Sequence, residues 1–153
     1  MARRTGMRYV VEEIVKAAGR LEEFQKALSE GSEFHITVNN DGYMPLSIVV
    51  LDKNEVSVSH YGVQNGDTMR DPEMTFLIQG IGPAPKWKIG PVWVPTEFRN
   101  DYMGYRRNLV SVRNSDGTVA YLKDPNDNFA NMWARNIKEQ GFIEAAKASK
   151  KEV

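Results

Sequence analysis

Between about residues 34 and 122 the apolar residues alternate with polar ones or gather in short runs, while on either side they recur at helical intervals. Phe34, Ile36 and Val38 alternate with polar residues, and Leu46 to Leu51 is a short apolar run. Val56, Val58, His60 and Gly62 share one strand face, with Ser57, Ser59 and Tyr61 on the other. Further strands are expected at Met74–Ile78, Val92–Phe98, Leu109–Arg113 and Thr118–Leu122. Asn40-Asp41-Gly42, Lys53-Asn54, Asn65-Gly66 and Asp116-Gly117 turn the chain between them, the last two being strong hairpin dipeptides because they tolerate positive φ. Strands in unbroken succession between helical ends predict an α+β fold: an antiparallel sheet of about five to seven strands, covered by helices on one face.

The first helical segment spans about residues 8–30. Val10, Ile14, Leu21, Phe24 and Leu28 form its stripe, broadened by Val11, Val15 and Ala18. Gly19 weakens its middle by ~1 kcal/mol relative to alanine and is a point at which it divides in two. Gly31 is the expected stop, since glycine enters the left-handed cap conformation cheaply. The last helical segment spans about 127–150, with Asp127 as cap, Phe129, Trp133 and Ile137 at four-residue steps, and Gly141 as an interruption. Arg135 and Lys138 fall on its far, solvated face.

A chain of 153 residues can bury roughly 68–70% of its unfolded surface, so residues 1–153 are read as a single domain. Gly80-Ile81-Gly82-Pro83-Ala84-Pro85 is the nearest approach to a linker, and a rigid loop between two strands explains it. No stretch approaches the ~20 apolar residues of a membrane span. Glu12 and Glu13 break any signal-peptide core behind the basic start, so a cytoplasmic address is expected.

Charge is balanced overall, twenty bases against twenty acids, but not along the chain. Residues 41–75 carry Lys53 and Arg70 against six acids, a net of minus four. Residues 86–113 carry six bases against Glu97 and Asp101, a net of plus four. Within the second stretch Trp87, Lys88, Arg99, Tyr102, Tyr105, Arg106 and Arg107 interleave rings with cations. Nucleic-acid surfaces use that combination, and so do protein interfaces, because Trp, Tyr and Arg offer wide contact with a polar handle. A core with rings inward and bases outward gives the same pattern.

Catalytic constellations are few. The absence of cysteine excludes disulfides, zinc thiolate sites and cysteine nucleophiles. No Gly-x-Ser-x-Gly, no Walker lysine and no third glycine after Gly80-Ile81-Gly82 occurs. Asp67, Asp71 and Glu73 cluster within seven residues, downstream of His60, and carboxylates so grouped suit a hard cation with the histidine as base. Turn capping and pairing with Arg70 account for the same acids. No cofactor is expected.

Three segments, His60–Met74, Pro95–Gly104 and Phe129–Phe142, resemble in order and spacing a family of small uncharacterised domains carried by plasmids, conjugative elements and phages. The resemblance covers roughly residues 34–143. It implies a mobile-element setting, where small accessory proteins bind and inhibit host defence machinery, and it supplies no active-site residues. The reading is therefore of a non-catalytic binding protein with a protein partner, of the kind that inhibits a host defence nuclease or effector. Nucleic-acid binding through residues 86–113 is the alternative, and a metal-dependent hydrolase using the 60–73 segment a second. Membrane partners are not expected, and a free sheet edge leaves monomer and homodimer both open.

Overall fold

A computed structural model of the chain describes residues 6–81, 89–108, 110–113, 119–121 and 129–150. Two helices come first, α1 (Met7–Ala17) and α2 (Leu21–Glu30). The six-stranded sheet follows: β1 (Phe34–Val38), β2 (Leu46–Asp52), β3 (Glu55–Gln64), β4 (Asp67–Ile81), β5 (Ile89–Asn100) and β6 (Tyr105–Asn108). A separate two-stranded sheet, β7 (Val110–Arg113) with β8 (Val119–Tyr121), precedes α3 (Phe129–Glu139) and α4 (Phe142–Lys150). The large sheet is an antiparallel meander in chain order, β1 to β6. The expected α+β fold is the observed one, with the strands of residues 110–121 forming their own ribbon rather than extending the main sheet.

Local chemistry sets the breaks. Gly19 takes φ 77° and splits the first helical stripe, and Gly31 takes φ 74° as the left-handed C-cap of α2. Asn65 and Gly66 both sit at positive φ, 54° and 86°, which is the twist a two-residue hairpin needs between β3 and β4. Tyr43 N–H donates to Asn40 C=O across the β1–β2 turn. Asp127 and the Asp116-Gly117 turn lie outside the described residues.

The strands outrun their apolar runs. β4 starts at Asp67, seven residues before the expected Met74, and β5 extends to Asn100. Pairing decides this: Asp67 to Arg70 face Gln64 to Tyr61 across the hairpin, so ladder bonds carry the strand through polar sequence. Pro95, which cannot donate to a ladder, sits opposite Phe76 where the register shifts.

Among the described residues the helices cover one face of the sheet. Val10, Val11, Ile14 and Val15 of α1, Phe24 and Ala27 of α2, Trp133, Ala134 and Ile137 of α3, and Phe142 and Ala146 of α4 are all buried. They meet Ile36, Val38, Leu46, Ile48, Val56, Val58, Met74 and Phe76 from the sheet. Phe24 packs edge-on to Phe34 at 5.2 Å, and Phe98 to Phe129 at 5.3 Å. α1 lies between the other helices, against α2, α3 and α4. Asn40 donates to the Gln140 carbonyl at 2.8 Å and ties the β1–β2 turn to the α3–α4 turn. No helix among the described residues is long and apolar enough to cross a membrane.

Candidate binding cleft on the uncovered sheet face

The sheet face away from the helices holds the polar partners of the alternation. Register sets His35, Val49, Ser57 and Thr75 side by side, and Thr37, Ser47, Ser59, Glu73 and Arg99 in the next row. Irregularities between Val50 and Asp52, Ser59 and Tyr61, and Thr75 and Phe76 sharpen the local twist of this face. The result is an open cleft of about 390 Å³. Ser47, Ser57 and Ser59 lie among its lining residues and are only 2–7% exposed although no helix among the described residues covers them. His35, Leu51, Tyr61 and the Arg70–Glu73 pair also line it.

One side of the cleft is a chain of ion pairs. Ser57 Oγ donates to Glu73 Oε2 at 2.5 Å, and Arg70 Nε reaches Glu73 Oε1 at 3.3 Å. Arg70 continues to Asp101, by its backbone N–H at 2.9 Å and its guanidinium at 3.7 Å, and Arg99 Nε donates to Asp101 at 2.6 Å. Burial pushes the Asp101 carboxyl up, but the Arg70 amide and the Arg99 and Arg70 charges together outweigh it and hold it below its ordinary range. The acidic and basic segments of the sequence thus meet strand to strand, with Glu73 opposite Arg99 and Arg70 of the first paired with Asp101 of the second.

The residues singled out in the basic stretch divide three ways. Arg99, Tyr102, Arg106 and Arg107 gather on the β5–β6 hairpin, where Arg99 pairs with Asp101 and Arg106 with Glu97 at 3.0 Å. Tyr102 is exposed in the turn, and Arg107 is half-buried opposite Phe98. Tyr105 opens β6 opposite Asn100, its side chain lying outside what is described. Trp87 and Lys88 lie outside the described residues altogether.

Asp67, Asp71 and Glu73 do not converge. Asp67 is at the β3–β4 hairpin, Asp71 accepts from Asn100 Nδ2 at 2.6 Å, and Glu73 lines the cleft with Ser57 and Arg70. Among the described residues no three His, Cys, Asp or Glu side chains group as a cation site. His60 stands on the helix side, packed against Trp133 at 5.7 Å and Phe142 at 5.3 Å, with Nδ1 3.1 Å from the Met44 carbonyl oxygen. Burial pushes it below its ordinary pKa of 6.5, against a weaker upward pull from the Met44 and Pro45 carbonyls and Asp71. Sequence reasoning named His60 and Glu73 together, and the sheet separates them. It missed Ser47 and Tyr61; the alternation that put Ser57, Ser59 and Tyr61 on one face was the available signal.

The family model of a domain of unknown function (DUF6908) matches residues 9–143. The chain belongs to that family. The match takes in most of α1 and all of α2, which lay outside the segments carrying the resemblance in the sequence, and it ends at the start of α4. No curated protein and no solved structure matches the chain.

Proposed function

We infer that this member of the family is a non-catalytic binding module that seats a protein partner on the uncovered sheet face. The observation that carries the reading is the cleft: buried serines and an internally satisfied Glu73–Arg70–Asp101–Arg99 chain on a face that no helix among the described residues covers. Small hydroxyls at its base leave room for a partner's side chain and carry no fixed charge, and Ser57, whose proton goes to Glu73, keeps its acceptor capacity. The ion pairs give the rim shape while leaving little net field, which suits a protein surface better than a polyphosphate. The setting assigned is the cytoplasm of a cell hosting a mobile genetic element, with a host defence nuclease or effector as the partner to be inhibited. That setting rests on the resemblance of the three sequence segments.

Affinity capture with the purified chain tests the reading, comparing wild type with Ser59→Gln, which fills the cleft, and Tyr61→Ala, which removes a lining ring. A stoichiometric protein partner held by the wild type and lost in both variants, at unchanged melting temperature, is the expected result. Equal capture by all three chains overturns it, as does turnover of a substrate by the chain alone.

Nucleic-acid binding stands second, favoured by the gathering of Arg99, Tyr102, Arg106 and Arg107 on one hairpin. The carboxylate partners of Arg99 and Arg106 weigh against it.

A further inference from the structure

The outer edge of β1 has an unusual defence. In the ladder with β2, Phe34, Ile36 and Val38 oppose Val50, Ile48 and Leu46, and His35 and Thr37 alternate with them. The His35 carbonyl points outward, because Arg20 Nη1 donates to it at 2.9 Å from the start of α2. Backbone N–H and C=O of one strand residue point the same way, so the His35 N–H and both Thr37 groups share that outward direction. Among the described residues none of these three groups has a strand beside it. Phe34-His35-Ile36-Thr37-Val38 contains no lysine, acid, proline or bulge, the devices that usually blunt such an edge.

Arg20 replaces them. Its guanidinium is clamped by Glu23 at 2.7 and 3.0 Å and lies over the Phe34 ring at 4.5 Å from its centroid. The clamp is at the surface, Glu23 being more than half exposed, so the guard is held by pairs that are individually weak. We propose that Arg20 is a removable guard on this edge, and that when it swings away β1 pairs antiparallel with β1 of a second copy of the chain about an axis through Ile36.

The strand is self-complementary for that pairing. His35 then faces Thr37 of the second copy and Thr37 faces His35 of the second copy, each pair exchanging two N–H···O bonds. Glu33 falls opposite Asn39 of the second copy, so no like charges meet. The side chains of Phe34, Ile36 and Val38 stay in their own cores. Two six-stranded sheets become one continuous sheet, and the two clefts come to lie on the same side of it.

Sedimentation equilibrium of the full chain over a wide concentration range tests this. Arg20→Ala is expected to self-associate at least about tenfold more tightly than the wild type. Glu23→Gln, which leaves Arg20 over the Phe34 ring, shifts association in the same direction by less. Adding Thr37→Pro to Arg20→Ala removes an outward N–H and returns a monomer. Amide exchange of His35 and Thr37 slows on association, while that of Phe34 and Ile36 is already slow in the monomer. Association of Arg20→Ala no tighter than wild type overturns the proposal, as does a dimer in which the His35 and Thr37 amides still exchange freely. Should Arg20→Ala fail to fold, Glu23→Gln decides on the same two readouts, and an unchanged association constant there counts against the guard.

Discussion

Tyr102 Oη stands 2.6 Å from the place a β-carbon on Gly62 would occupy. A tyrosine from the β5–β6 turn thus closes over a glycine in β3, and the contact exists because position 62 has no side chain. Gly62→Ala forces the hydroxyl aside. Tyr102 is 42% exposed and can swing outward, so the cost is expected at about 1 kcal/mol, the low end for overpacking. Tyr102→Phe removes the clashing atom and leaves the ring carbon at 3.8 Å, an ordinary contact. A double-mutant cycle by urea denaturation should find the alanine penalty largely abolished when Tyr102→Phe is already in place.

Asp101 joins two strands through charge. It accepts from the Arg70 N–H and from Arg99, and its own N–H donates to the Arg70 carbonyl at 2.8 Å. Asp101→Ala strands those donors and is expected to cost about 2 kcal/mol, typical of hydrogen bonds involving a charged group. The native carboxyl titrates below its ordinary 3.8, so the unfolded chain binds the proton first. Its stabilisation is complete above that ordinary value and disappears as pH falls through the lowered native one. Asp101→Asn should flatten this part of the acid limb in a series of denaturation midpoints.

His60 gives a second, separate window. Its native pKa lies below 6.5, so between that native value and 6.5 the unfolded chain binds more protons than the native one. Stability therefore rises with pH across the window and is level above it; acidification from neutrality weakens the fold. His60→Gln should remove that slope. Phe142→Ala, which opens the ring wall beside His60, should cost about 3–5 kcal/mol and move the histidine's NMR titration toward its ordinary value.

Paired cations make poor phosphate ligands. With Arg99 and Arg106 held by Asp101 and Glu97 and the whole chain at zero net charge, single- and double-stranded oligonucleotides should show no mobility shift at physiological salt. A shift that persists there, and weakens in Arg99→Ala or Arg106→Ala, would favour the nucleic-acid reading over the protein one.

Period and turn chemistry made the architecture legible. The two helical ends, the Gly19 break, the Gly31 cap and the Asn65-Gly66 hairpin follow from properties of single residues and their near neighbours. Strand lengths did not, because β4 continues through Asp67–Glu73 on the strength of its pairing with β3, and hydropathy carries no record of a ladder partner. The cleft was half legible: Ser57, Ser59 and Tyr61 read as one face, but nothing in their spacing says that no helix lies over them. His60 and Glu73 looked like neighbours along the chain. Plain alternation in β3 turns His60 toward the helices, while Ser59 beside it pairs with Glu73 on the face of the open cleft.

α1 packs against α4, so residues 7–17 lack that packing partner until residues 142–150 have left the ribosome. Throughout synthesis of the sheet, Val10, Val11 and Ile14 have only α2 and the early strands to shelter them. Contacts this distant in sequence slow productive collapse and lengthen the exposure of sticky surface. Chaperone dependence and yield in cells should therefore respond more sharply to lesions in α4, such as Ala146→Asp, than to equally destabilising lesions in β3.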